Sequence, residues 1–276
     1  MALDIPISSL AHDAWSIRRT LLGMHYRAKA GHVGGGLSAV EILAYVHRCW
    51  LREQDRFILS KGHSASSLYA TLHHYGKLSD EQLDTYYADG TLLPAHPAPR
   101  ALPRDIPAAT GSLGHGLPIA AGMAFAWSKL HAKDTRIACL ISDGECNEGA
   151  VWEGAAFAAH HRLSNLLVIV DANGLQGFGA TRDVLDMEPM AAKWKAFGFA
   201  TREIDGHDFA ALANACTSAD PERPTCVVAR TKKGKGVSFM EDRMEWHYLP
   251  MDEAQYRQAL ADVDAMHASL AHESGA

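Results

Sequence analysis

The chain has no surplus of positive charge: 26 Lys and Arg stand against 32 Asp and Glu, a net charge of −6. A basic face of the kind that tracks a nucleic-acid backbone is therefore not expected. It also lacks paired cysteines. Cys49, Cys139, Cys146, Cys216 and Cys226 are odd in number and form no CxxC, which reads as reduced thiols in a cytoplasmic protein rather than a disulfide framework. No long apolar run is present; the longest, Gly116 to Trp127, ends at Ser128 and Lys129, well short of the roughly 20 residues that span a bilayer. No lysine or arginine precedes Arg18, so a secretory signal is not expected. Despite 16 histidines there is no HExxH and no paired Cys/His spacing, which argues against a zinc site. No internal repeat or low-complexity tract is found. What remains is a chain of 276 residues, 47% hydrophobic and 21% charged, long enough to bury the core of one large α/β domain or two small ones.

Apolar residues recur at helical spacing over Leu10 to Lys29 and Leu37 to Leu51, with Ser9 and Ser38 as candidate caps. The glycine-rich Gly31 to Gly36 between them is expected to be a loop. Short β-rich runs follow at Arg56 to Ser60, Arg136 to Ile141, Leu166 to Val170, Ala200 to Ile204 and Thr225 to Arg230, separated by helical stretches. This alternation predicts a parallel β-sheet flanked by helices on both faces. Leu93 to Pro107 holds five prolines and is expected to be a loop able to fold over a site. Beyond Met251, Tyr256, Leu260, Val263 and Leu270 predict one apolar stripe on a terminal helix.

Ligands of such sheets bind at the carboxyl ends of the strands, and the residues there are polar: Lys61-Gly62-His63, Asp143-Gly144-Glu145, Asp171-Ala172-Asn173-Gly174, and Lys232 to Gly236. Asp143 and Asn173 lie thirty residues apart, a separation that one helix, Glu148 to Leu163, can cross. A carboxylate, an amide oxygen and a nearby carbonyl suit Mg²⁺ or Ca²⁺, and Gly144 lets a phosphate approach the backbone. The alternative is that Asp143 and Asn173 simply cap helices. His32, His63, His96 and His247 each sit in a glycine- or proline-bearing loop; if they converge, they could bind phosphate and move protons. Gly34 to Ala39 fits a relaxed dinucleotide fingerprint but follows a helix rather than a strand, so that reading fails on context.

The ordered set Gly31-His32, Leu59-Ser60-Lys61-Gly62-His63, Thr110 to Gly116, Ser142-Asp143-Gly144-Glu145 through Glu148, Asp171-Ala172-Asn173 and Trp246-His247 resembles the N-terminal, thiamine diphosphate-binding part of transketolase from about Leu10 to His247. Ser142 replaces the first glycine of the usual GDG, and Val33 stands where the pattern carries proline. The resemblance implies a thiamine diphosphate-binding fold over residues 9–250, with 251–276 as a helical tail of the same domain. It implies Mg²⁺, or Ca²⁺ in its place, on Asp143, Asn173 and the carbonyl of Leu175. It implies a cofactor pocket formed by His63, Gly111, Ser112, Leu113, Gly144, Glu145, Asn173 and His247. His32, His63, His96 and His247 are implied as catalytic histidines around the donor sugar, and Glu148 as a buried acid at a subunit interface.

Full-length transketolases continue into a pyrimidine-binding domain. The resemblance therefore implies one subunit of a split transketolase, working with a C-terminal partner in a two-plus-two (α2β2) assembly. The reaction implied is transfer of a two-carbon ketol unit from a ketose, phosphorylated in the first reading, to an aldose. Sulfosugar and branched sugar phosphate donors remain open alternatives. So do the thiamine subunit of a 2-oxoacid dehydrogenase and a deoxyxylulose-phosphate-type synthase, although His63, His96 and His247 argue against these last two. A folded relic that binds no cofactor is the non-enzymatic alternative.

Overall fold

The computed structural model describes residues 5–100, 102–218 and 220–273. The tail expected over 251–276 thus extends at 274–276 outside the described residues. Helix α1 (Ile7–Ala28) leads through α2 (Val33–Ser38) and α3 (Val40–Tyr45), which a π-turn extends to Trp50, into strand β1 (Arg56–Leu59). Helices α4 (Ala65–His74) and α5 (Asp80–Asp84), a long loop and α6 (Gly116–Phe125) precede β2 (Ile137–Ser142). Helix α7 (Gly149–His160) crosses to β3 (Leu166–Ala172), and α8 (Thr181–Leu185) and α9 (Met190–Ala196) to β4 (Ala200–Asp205). Helix α10 (Phe209–Thr217) returns to β5 (Thr225–Arg230), and α11 (Glu253–Glu273) closes the described chain.

The five strands form one sheet in the order β1-β2-β3-β5-β4, every neighbouring pair parallel. Side chains alternate faces along a strand, and the core divides accordingly. Leu59, Ala138, Leu140, Leu167, Ile169, Val227 and Ala229 face α1, α3, α4 and α10. Ile58, Cys139, Ile141, Val168, Val170 and Val228 face α6, α7 and α9. Burial on both faces explains why β2 and β3 read as unbroken apolar runs. β4, at the edge, is only half-buried and alternates Arg202 and Glu203, the charged pattern that discourages further strand pairing. Helix α11 lies along α1, with Tyr256 stacked on Tyr26 at 4.4 Å and His267 on Trp15 at 4.9 Å. Val263 of the expected stripe is buried, whereas Leu270 is exposed.

The strand expectations hold to within two residues at each end. The glycine-rich segment does not: Val33 to Ser38 is helical rather than a loop. Its glycines serve close packing. A Cβ on Gly34 would lie 3.2 Å from Lys233 and 3.3 Å from the Trp246 carbonyl, and one on Gly36 would lie 3.3 Å from Leu21. Tertiary contact thus overrides the low helix propensity of glycine. Neither expected serine cap forms. Ser9 lies inside α1, which starts after Pro6, and Ser38 ends α2 with its hydroxyl on the Gly35 carbonyl and Asp171.

Candidate functional site

A cleft of about 300 Å³ opens at the carboxyl ends of β1, β2, β3 and β5. The loop segments that follow these strands, the start of α2, the proline-rich loop and the turn at Trp246-His247 all contribute to its walls. One side of it is rich in oxygen. Asp143, 3% exposed, accepts the Gly144 N–H at 2.8 Å, the Gly174 N–H at 2.7 Å and the Thr181 hydroxyl at 3.2 Å. The Gly174 bond ties Asp143 directly to the Asn173-Gly174-Leu175 turn, where Asn173 Oδ1 accepts the Leu175 N–H at 3.1 Å. No ion pair engages Asp143 among the described residues. Burial, followed by the negative charge of Asp171, pushes its carboxyl up to about 6. Asp171 behaves in the opposite way. Burial alone would raise it, but the buried Lys61 ammonium, paired directly with it, holds it below the usual carboxylate range.

This donor set fits a hard divalent cation. A buried carboxylate lacking a cationic partner sits one hydrogen bond from a turn that offers an amide oxygen and the Leu175 carbonyl, the ligand types that Mg²⁺ and Ca²⁺ prefer. The Leu175 carbonyl already faces a cation, the Lys233 ammonium, at 3.4 Å. The surroundings also fit a phosphate. Gln176 Nε2 is buried with no partner among the described residues, beside Gly144, where a Cβ would approach Gln176 to 3.2 Å. Burial, and then Lys61, lowers the Lys233 ammonium to about 8.

The four histidines expected to converge all line this cleft. The rings of His32 and His247 are 4.7 Å apart, His32 and His63 5.9 Å, and His63 and His247 6.0 Å. His96 stands on the proline-rich loop against Gly111, where a Cβ would come within 3.1 Å of its ring. That loop is pinned to the sheet by the Thr110 hydroxyl on the Leu59 carbonyl at 2.6 Å. His32 adopts a left-handed conformation, φ 69°, and its N–H donates to the His247 carbonyl at 3.0 Å. Gly31 permits this approach, since a Cβ there would lie 2.6 Å from the Tyr248 carbonyl. Val33 is the first residue of α2, a position that also suits proline. Burial, then His96, lowers the His32 imidazole; burial, then Lys61, lowers His63 well below its usual value; burial, then Lys233, lowers His247 to about 3. The ring nitrogens of His32, His63 and His96 have no hydrogen-bond partner among the described residues, whereas His247 Nδ1 meets Lys233 Nζ at 2.9 Å.

Gly111, Leu113, Gly144 and Asn173 line the cleft as expected, whereas Glu145 and Ser112, also expected in the cofactor pocket, do not. Glu145 is fully buried beneath the floor. Its carboxylate accepts the Ser60 hydroxyl at 2.6 Å, the Gly114 N–H at 2.9 Å and the Ser142 N–H at 3.0 Å. It therefore clamps three segments together and does not line the cleft, where a cofactor contact was expected. Ser112 is exposed and lies off the cleft. Glu148, expected to be buried at an interface, is exposed in this chain at the start of α7. Lys233, Gln176, Phe178 and Tyr248 line the cleft although sequence reasoning gave them no role. For Lys233 the signal was its place directly after β5.

Comparison with known proteins agrees with this geometry. Residues 14–266 match the family model described as transketolase, thiamine diphosphate binding domain. The chain is 38% identical over 256 residues to an apulose-4-phosphate transketolase subunit from Actinobacillus succinogenes, covering 89% of this chain and 92% of that one. It is also 38% identical over 266 residues to the 6-deoxy-6-sulfo-D-fructose transketolase subunit of a Clostridium species, covering 92% and 96%. Among solved structures, the transketolase of Campylobacter jejuni superposes with a TM-score of 0.87 at 27% identity, over 94% of this chain and 43% of that one. The chain thus spans nearly the whole of the subunit-type relatives and a little under half of that single-chain enzyme. From the parallel sheet, the cleft at its carboxyl edge and these matches, the chain belongs to the transketolase family, as its thiamine diphosphate binding domain.

Proposed function

We propose that the chain is the diphosphate-holding subunit of a two-chain transketolase, transferring a two-carbon ketol unit from a ketose, most simply a phosphorylated one, to an aldose. The carrying observation is that three histidine rings within 6.0 Å of one another share a cleft with the Asp143 and Asn173-Leu175 oxygens. Asp143, Asn173 and the Leu175 carbonyl would hold Mg²⁺, with Ca²⁺ as a substitute. His63, His247, Lys233 and Gln176 would donate to diphosphate oxygens, and Gly144 leaves room for their approach. Gly111 and the apolar Leu113 would lie along the thiazole side and keep water out. Thiamine diphosphate, when bound, supplies a carbon nucleophile for a ketose carbonyl and a sink for the electrons of the broken C–C bond. His32 and His96, with unspent ring nitrogens on the open side, would take up and return protons at sugar hydroxyls, assisted by His63 and His247.

Residues 9–250 would form the binding domain, with the rest a helical tail on α1, and exposed Glu148 would enter a subunit interface. A C-terminal partner carrying the pyrimidine-binding half, in an α2β2 assembly, is the matching proposal; relatives of the same length bear the names of subunits. Branched sugar phosphates and sulfosugars, which those names mention, are the donors to screen first beside pentose phosphates. No helix among the described residues is long and apolar enough to cross a membrane. Cys139, Cys146, Cys216 and Cys226 are buried free thiols, which supports the cytoplasm as the compartment. The test is ketol transfer assayed with the chain alone and with its partner. Turnover is expected only from the mixture. Robust turnover by the chain alone, free of any second protein by mass spectrometry, would overturn the split-enzyme reading.

A further inference from the structure

Lys233 reaches the cleft from a short turn, Lys232 to Lys235, that begins two residues after β5. Both ends of this turn are tied to a buried carboxylate, Glu41, that does not line the cleft. The Lys232 N–H donates to His207 Nε2 at 2.9 Å, and His207 Nδ1 lies 3.0 Å from Glu41 Oε2. The Lys235 carbonyl accepts Arg18 Nε at 3.2 Å, and Arg18 Nη2 donates to the same Glu41 oxygen at 2.7 Å. Arg18 and Glu41 are 1% and 6% exposed. A backbone N–H can only donate, so Nε2 must be the lone-pair nitrogen, and the ring proton sits on Nδ1, facing Glu41. Gly34 completes the bracket by accepting the Gly234 N–H at 2.9 Å. At the crest of the turn, Lys233 Nζ meets His247 Nδ1 at 2.9 Å and the Leu175 carbonyl at 3.4 Å.

We propose that His207, fixed by Glu41 as its Nδ1–H tautomer, is a positioning residue that presents Lys233 to the anionic end of the cofactor through the Lys232 amide. The inference rests on the functional reading above and adds a residue lying outside the cleft. A freely hinged turn would have to be ordered each time a phosphate bound, at an entropic cost set against affinity. A turn already held at Lys232, Gly234 and Lys235, and by the Asp242 N–H on the Lys233 carbonyl at 3.0 Å, avoids that cost.

The two ring nitrogens allow the test to be made atom by atom. In His207→Gln the amide oxygen can reach the Nε2 position and accept the Lys232 N–H. In His207→Asn the shorter chain reaches only the Nδ1 position and keeps Glu41 alone. Calorimetric titration of the full chain with thiamine diphosphate in Mg²⁺ should show affinity within about threefold of wild type for Gln, and a loss of about tenfold for Asn and for His207→Phe. Melting temperatures of Gln and Asn should agree within a few degrees, since both keep one bond of the pair. In a double-mutant cycle, His207→Phe should add no further loss to Lys233→Met. Full additivity, or equal affinity of Asn, Phe and wild type, overturns the inference and leaves the functional reading intact. A wild-type chain that binds no thiamine diphosphate overturns the functional reading and, with it, this inference.

Discussion

Both ends of the sheet carry a buried aspartate, and the two are treated in opposite ways. At the amino ends, Asp55 precedes β1, its side chain fully buried, and takes three hydrogen bonds from Arg52 and three from Arg136, at 2.7 to 3.1 Å. At the carboxyl ends, Asp143 is equally sequestered but receives only two backbone N–H groups and a hydroxyl. Burial would raise both. The two guanidinium groups hold Asp55 below the usual carboxylate range, whereas Asp143 rises to about 6. A carboxylate fully spent on the protein's own cations fastens one strand to the next. One left short of positive charge is poised for a cation from outside.

Replacing the two residues should separate these roles. The largest effect is expected from Asp143→Ala, which removes the only charged ligand of the proposed metal and should abolish Mg²⁺-dependent thiamine diphosphate binding. Near wild-type affinity by calorimetry would sink the assignment. Asp55→Ala leaves Arg136 without a carboxylate and Arg52 with Asp134 alone, and should cost about 2 kcal/mol of stability in urea unfolding, with cofactor affinity changed less than threefold. A large loss of affinity would mean that the two ends are not independent.

Acidity sharpens the contrast. A folded-state value near 6, raised from 3.8, means that the native state holds the Asp143 proton longer than the unfolded chain does. Its contribution to stability is therefore present below about pH 4 and lost as pH rises through 6, a change of about 2 to 3 kcal/mol in the protein free of metal and cofactor. Comparing Asp143→Asn with wild type across pH 4 to 7 should expose this slope. Asp55 runs the other way, its contribution present above about pH 4 and lost on acidification below that value. The smallest expected effects distinguish histidines within the cleft. His32→Ala and His96→Ala should lower turnover about tenfold more than they weaken thiamine diphosphate, whereas His63→Ala and His247→Ala should weaken both. Four variants behaving alike would contradict the division of labour.

The sheet was legible because strands buried on both faces are written as unbroken apolar runs, as in Leu166 to Val170. The polar residues ending those runs pointed to the cleft. The helix at Val33 to Ser38 was not legible, because its glycines are selected by contact with Lys233, Trp246 and Leu21, segments far away in sequence. The buried place of Glu145 was not legible for a related reason. An acid beside a phosphate-type motif looks like a ligand-binding residue until Ser60 and Gly114 are seen to occupy its oxygens. Lys233, named only within the polar run Lys232 to Gly236, and His207 were given no role because a lysine or histidine after a strand usually faces water; only the folded turn shows where each one points.

The Glu145 clamp bears on how such a protein can change. It joins Ser60 and Gly114 to the end of β2, and its partners lie 85 and 31 residues away along the chain. The chain between these fixed points carries the buried α4 and the cleft residues His63, Gly111 and Leu113, which must stay in place, and the loop after α5 around His96, which can vary while its two ends return to the same carboxylate. Donor preference could therefore be redesigned around His96 without disturbing the diphosphate floor, while even Glu145→Gln, which keeps the size but halves the acceptors, would loosen all three walls at once.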